Sequence, residues 1–186
     1  CVGRPDPQAD VQRHIQQWQR QQDSDWTLML ARAVVHGKLT NQMTLLRRYN
    51  RRRAIAALDD AIGQIDAMRR RLPHTRGLDD VRGCEGQAAR AYYGALRQLL
   101  PAEWPFEGRR RRPPTDPVHA LLSYGYAILH RNMVTLIQRQ RLDPYLGHLH
   151  AARPGHAALA SDLIEEFRAP VIDTVVLWVI LGGRVA

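Results

Sequence analysis

The sequence predicts an all-α domain, and three observations carry that prediction. Apolar residues recur three and four positions apart through nearly the whole chain, and alternating apolar and polar runs are scarce. Capping residues, prolines and glycines also stand where those apolar stretches would begin and end as helices. With 186 residues and 45% apolar content, the chain can bury one sizeable core and is short for two full domains.

Taken in order, Arg4-Pro5-Asp6-Pro7 predicts a loop and Ala9 to Gln22 an amphipathic lead-in helix rich in glutamine and arginine. Residues 1–23 are thus expected to be a linker and lead-in helix from a missing N-terminal part, the chain being a piece of a longer protein, and residues 24–186 to form the helical domain. Asp23-Ser24-Asp25 supplies cap chemistry for a helix with Trp26, Leu28, Leu30 and Val34, and Gly37 is expected to end or bend it. A second stretch runs from about Thr40 to Tyr49. A third, from about Arg52 to Arg71, has Ile55, Leu58, Ile62, Ile65 and Met68 on one side and stops at Pro73. From Gly83 to Leu100, the residues Ala88, Ala89, Tyr92, Leu96 and Leu99 keep helix spacing, and Glu85 falls one turn ahead of them. A carboxylate on that apolar face is costly unless something pairs with it or ligates it.

Residues 101–114 hold four prolines and the run Arg109-Arg110-Arg111-Arg112, which predicts a mobile basic loop. Thr115 or Asp116 can cap the next helix, whose first turn accepts Pro117. That helix, about residues 117–140, is apolar almost all round through Leu121, Leu122, Tyr124, Tyr126, Ile128, Leu129, Met133, Leu136 and Ile137. It is expected at the buried centre of the domain. Turns at Asp143-Pro144 to Gly147 and at Pro154-Gly155 flank His150; a helix follows over about Ala158 to Arg168, and Pro170 separates it from the last one. The apolar run Val171 to Leu181 contains Asp173 and is half the ~20 residues a membrane helix needs. It predicts a buried helix with no membrane partner, and no signal peptide precedes it.

The formal charge is +9 and comes almost wholly from arginine, since Lys38 is the only lysine. Arginine's planar fork suits phosphate oxygens, so a polyanion such as DNA is the implied partner, although GC-rich coding DNA enriches arginine as well. Cys1 and Cys84 form no zinc spacing and no disulfide framework, which points to the cytoplasm. No glycine-rich phosphate loop with a following lysine is present, and no serine or cysteine nucleophile has an assigned base.

Asp162 and Glu165, three apart on one helix, could share a cation, or could form a solvated acidic face with Glu165 paired to Arg168. His150 is a ligand candidate or an ordinary loop or core histidine. With Glu85 these residues would make an open, mostly oxygen site suited to Mg²⁺ or Mn²⁺, able to polarise a phosphodiester. The clusters Arg51 to Arg53, Arg69 to Arg71 and Arg109 to Arg112 are DNA contacts or solvated faces. The third stands beside Trp104 and Phe106, whose rings could stack on unpaired bases.

Five segments in order carry a family resemblance: Gly37-Lys38-Leu39-Thr40-Asn41-Gln42; Gly83-Cys84-Glu85-Gly86-Gln87-Ala88-Ala89-Arg90-Ala91-Tyr92; Arg112-Pro113-Pro114-Thr115-Asp116-Pro117 on to Tyr126; Leu142-Asp143-Pro144-Tyr145-Leu146-Gly147-His148-Leu149-His150; and Asp162-Leu163-Ile164-Glu165-Glu166-Phe167-Arg168. Over roughly Gly37 to Asp173 the chain resembles the CRISPR-associated endonuclease and integrase of spacer acquisition, the Cas-one family. The resemblance implies a helical catalytic domain that joins 3′-hydroxyl ends of a new spacer DNA to the CRISPR repeat by transesterification. It implies Glu85, His150 and Glu165 as catalytic metal ligands for Mg²⁺ or Mn²⁺ and Asp162 as a supporting carboxylate. Arg90, Tyr92, Arg109, Arg110, Arg111 and Arg112 become candidates for DNA contact or site support. As partners it implies DNA, the Cas-two protein, a homodimer within a larger complex and a fused or associated reverse transcriptase. The family's N-terminal β-sandwich is absent, and His119 and His148 stand where it usually has asparagine and an aromatic. Two alternatives stay open: a catalytically idle DNA-binding scaffold subunit, and a stand-alone nuclease or transposon-type integrase on the same fold.

Overall fold

The computed structural model describes residues 7–106 and 116–184, and over them the chain is all helix and connection, with no strand. Seven α-helices follow one another: α1 (Pro7–Gln22), α2 (Ser24–Asn50), α3 (Ala56–Arg71), α4 (Leu78–Leu99), α5 (Pro117–Arg139), α6 (Ala158–Phe167) and α7 (Thr174–Leu181). A 3-10 turn, Leu72–His74, extends α3 around Pro73, and a π-helical turn, Arg168–Asp173, joins α6 to α7. Cys1 and Arg109, Arg110, Arg111 and Arg112 lie outside the described residues.

The spine is α2, which packs against α1, α3, α4, α6 and the π turn. Asp23 starts it, its Oδ1 accepting from the amides of Asp25 and Trp26 at 3.0 Å each. The expected break at Gly37 is not there: the helix runs unbroken through Gly37 and Thr40 for 27 residues. A mid-helix glycine costs only about 1 kcal/mol, and burial of Ala31, Val35, Leu39, Met43 and Leu46 along one stripe outweighs it. Asn50 closes α2, its Oδ1 accepting from the amide of Ile55 at 2.7 Å while its Nδ2 donates to Asp59 Oδ1 at 2.9 Å. Arg51 to Arg53 are therefore a turn, and α3 begins at Ala56. In contrast, α4 starts five residues earlier than the apolar spacing suggests, with Asp79 and Asp80 in its first turn.

Asp116 caps α5 as expected, accepting from the His119 amide at 2.7 Å, with Pro117 in the first turn. Its placement at the buried centre is overturned. Only Val118, His119, Leu122, Tyr126 and Ile137 are buried, while Tyr124 is 70% and Leu136 52% exposed. An apolar circumference does not say how many neighbours cover it, and in this chain α2 takes the centre. The last apolar run is likewise buried on one side only: Val176, Leu177 and Ile180 face the core, and Val175 and Trp178 face out with Phe167 and Val171. Nor does Pro170 separate two helices. The Thr174 amide reaches back five residues to the Ala169 carbonyl, and this wider turn absorbs a residue that has no N–H to give. Among the described residues no helix is long and apolar enough to cross a membrane.

The segment between α5 and α6 is tied down from outside by α1. Gln17 Nε2 donates to the Asp143 carbonyl and the Asp143 amide returns a bond to Gln17 Oε1, 2.8 Å each. Arg13 donates to the Gln140 carbonyl at 2.8 Å, and Arg141 pairs with Asp10.

Candidate metal centre

Three elements bring charged side chains together at the middle of α2. Lys38 comes from the buried stripe of that helix, Glu85 from the second turn of α4, and Glu165 from the inward face of α6. The Lys38 ammonium stands between the two carboxylates, in contact with Glu85 Oε1 and 2.7 Å from Glu165 Oε2. Arg168 Nη1 approaches the other oxygen, Glu165 Oε1, at 2.8 Å, and its guanidinium lies over the Tyr126 ring. Lys38 and Glu165 are 5% and 4% exposed, whereas Glu85 keeps 29% of its side chain open to solvent.

Burial by itself would neutralise such groups, and here the pairing wins. Burial pushes Glu165 up, but Lys38 and Arg168 pull it to about 2, so it is ionised throughout the neutral range. Burial likewise pushes the Lys38 ammonium down, yet Glu165 and then Glu85 hold it above its ordinary value. The Glu165 carboxylate is therefore acceptor-only.

His150 reaches the cluster from the loop before α6, its Nε2 4.0 Å from Glu165 Oε1. Asp162 sets that loop. Its Oδ2 accepts from the amides of His148 at 2.6 Å and Leu149 at 2.9 Å, and its Oδ1 from the His150 amide at 2.9 Å and Nδ1 at 2.7 Å. With Nδ1 directed at Asp162, Nε2 is the ring nitrogen left on the Glu165 side. Gly147 admits this loop, since a Cβ there would stand 2.7 Å from the Ala158 backbone. Arg82 also donates to the Leu149 carbonyl at 2.8 Å, and His148 Nδ1 meets Thr27 Oγ1 at 3.1 Å.

Lys38 thus joins Glu85 and Glu165, and His150 approaches Glu165 from the loop that Asp162 holds. Among the described residues no three of His, Cys, Asp and Glu stand as a ready metal cage, because the ammonium occupies the space between the carboxylates. The donor set itself, two carboxylates and an imidazole oriented by a third, is chemically suited to a divalent cation. Charge does not demand that cation, since two negative charges already face two positive ones.

Two expectations are corrected. Tyr92 cannot touch DNA: it is 0% exposed, and its hydroxyl donates to Asp173 Oδ2 at 2.6 Å while the Tyr126 hydroxyl donates to Oδ1 at 2.6 Å. Burial lifts the Asp173 carboxyl to about 6 despite those two donors. Phe106 is 4% exposed, packed 6.1 Å from the Tyr93 ring, and is no stacking platform. Arg90 is exposed on α4, as are Arg51 to Arg53. Arg69 and Arg70 are partly spent on Asp66, at 2.7 and 3.3 Å. Lys38 and Asp173 have no assigned role in the sequence, while the Glu165–Arg168 pair expected there as one alternative is present, largely buried and not solvated. The available signal was a lone lysine in register with Ala31, Val35 and Gln42 on the buried stripe.

Residues 2–186 match the family described as CRISPR associated protein Cas1. The chain is 39% identical over 173 residues to the CRISPR-associated endonuclease Cas1 of Mycobacterium tuberculosis, covering 91% of this chain and 49% of that protein. It is 44% identical over 150 residues to a CRISPR-associated endonuclease Cas1 of Thermus thermophilus, covering 81% and 45%. Among solved structures it superposes on the Cas6-RT-Cas1–Cas2 complex with a TM-score of 0.84 and 26% identity, over 96% of this chain and 19% of that one. The chain spans about half the length of the relatives it matches.

Proposed function

The chain belongs to the CRISPR-associated Cas1 family, and on that premise we propose that it is the helical catalytic part of a metal-dependent DNA integrase and endonuclease of CRISPR adaptation. The observation that carries this reading is the meeting of Glu85, His150 and Glu165 from three elements, with the His150 ring fixed by Asp162. Those three residues would hold Mg²⁺ or Mn²⁺, which when bound would polarise a phosphodiester and stabilise charge on its oxygens. Asp162 holds His150 in the tautomer with Nε2 unprotonated. Lys38 and Arg168 keep Glu165 ionised, and Arg90, with Arg109 to Arg112, supplies positive charge for the DNA backbone.

In the joining reaction the 3′-hydroxyl oxygen of a spacer end forms a bond to a repeat phosphorus. The bond from that phosphorus to the repeat's own 3′-oxygen breaks, and the proton lost by the attacking hydroxyl is balanced by one gained on the departing oxygen. The proposed partners are the spacer fragment, the repeat, a Cas2 protein, a second copy of the chain and a fused or associated reverse transcriptase, acting in the cytoplasm. The name of the solved Cas6-RT-Cas1–Cas2 complex supports the last of these assemblies.

The test is a joining assay with labelled DNA carrying free 3′-hydroxyls, supercoiled plasmid with a repeat, the full chain, its Cas2 partner and Mg²⁺ or Mn²⁺. His150→Ala should abolish joining and leave DNA binding within twofold of wild type. If wild type binds DNA but joins none of it with either metal, the chain is a scaffold.

A further inference from the structure

Of 27 basic residues in the chain only Lys38 is a lysine, and it stands at the point where the two carboxylates meet. An arginine's planar fork is suited to one fixed pairing, whereas an ammonium on a four-carbon stem is a compact charge with three rotatable donors that can change partners. Glu85, its contact on one side, is partly open to solvent, so the ammonium has a way out along that side.

The four charges Glu85, Glu165, Lys38 and Arg168 sum to zero. A divalent cation added to this set leaves two uncompensated positive charges in a largely buried place, which is unfavourable. DNA phosphates bring the missing negative charge, and they also offer the displaced ammonium a new acceptor.

We propose that Lys38 makes divalent-cation binding conditional on a DNA phosphate: its ammonium holds Glu85 and Glu165 until a phosphate arrives, then passes to the phosphate oxygen and yields the carboxylates to the cation. Cation and DNA therefore bind cooperatively, and by reciprocity each tightens the other by the same factor. The inference rests on Glu85, His150 and Glu165 as cation ligands, as proposed above.

The experiment measures Mn²⁺ binding to the full chain by the loss of the free-ion paramagnetic resonance signal, with and without a duplex carrying free 3′-hydroxyls. Wild type should bind Mn²⁺ weakly alone and at least tenfold more tightly with DNA. Lys38→Met should bind Mn²⁺ at least tenfold more tightly than wild type without DNA, and DNA should then add less than threefold. Lys38→Arg, which keeps the charge, should remain weak without DNA. Lys38→Gln serves where Lys38→Met does not fold, as judged by circular dichroism. Equal Mn²⁺ affinity in folded wild type and the uncharged variant overturns the proposal, and so does a wild-type affinity that DNA leaves unchanged. If wild type binds DNA but takes up no Mn²⁺ even then, the ligand assignment itself falls along with the role of Lys38.

Discussion

Replacing Asp162 by asparagine isolates the clamp on the His150 loop. The carboxylate is 2% exposed and accepts four hydrogen bonds, two on each oxygen, at 2.6 to 2.9 Å. Asparagine keeps the shape but has one oxygen. Its amide group must face two N–H donors, either those of His148 and Leu149 or the two of His150. Each charge-assisted hydrogen bond contributes about 1.5–3 kcal/mol net, so losing two and burying opposed donors costs roughly 3 kcal/mol or more even if the loop relaxes. For a chain of 186 residues that is a fall in Tm of about 6–12 °C, from roughly 2–4 °C per kcal/mol. Urea unfolding followed by circular dichroism gives the energy, and ¹⁵N shifts of the His150 ring give the tautomer. Wild type should show Nδ1 protonated and Nε2 bare, and the variant should lose that preference. A stability change under about 0.5 kcal/mol with unchanged ring shifts would refute the clamp as the device that orients His150.

Two further outcomes follow from groups described above. Asp173, lifted from an ordinary 3.8 to about 6, binds its proton more tightly when folded. Its contribution is therefore fully present below about pH 4 and is lost, by about 3 kcal/mol, as pH rises through 6. Glu165, held at about 2 instead of 4.5, acts in the opposite sense: its contribution is present above pH 4.5 and is lost as pH falls through 2. In urea midpoints taken across pH, Asp173→Asn should flatten the first slope and leave the second. Gly125→Ala should cost about 1–3 kcal/mol, because the new Cβ would stand 2.5 Å from Ile172 Cγ2. Gly63→Ala, with nothing within 4 Å, should gain up to about 1 kcal/mol in the same unfolding assay.

Local chemistry was legible where one residue type decides the outcome. The Asp116-Pro117 start of α5 and the Asp23 start of α2 are written in cap residues, and both are found where their spacing puts them. Legibility failed where a distant neighbour decides. Gly37 reads as a break only until the burial of the rest of α2 is known, and Pro170 only until the π turn is seen. The apolar wheel of α5 gave no hint that Tyr124 and Leu136 would lie open. Glu85 on an apolar face demanded a partner, and the physics of that demand was sound. Its partner in the fold is Lys38, 47 residues earlier, on a different helix whose meeting with α4 no local spacing reports. Tyr92 belonged by spacing to the core stripe, and that placement, not its candidacy for DNA, is what the fold shows.

The unbroken α2 also fixes an order of events during synthesis. Its buried lysine emerges before the carboxylates that satisfy it, which belong to α4 and α6, and Asn41 one turn on waits for the Glu166 carbonyl 125 residues downstream. Closing so long a loop comes late, so a nascent chain carries α2 with an unpaired ammonium on its core side. The charged cluster therefore waits for α6, and a truncated translation product ending before α6 would hold neither the clamp nor the second carboxylate, leaving Lys38 without Glu165.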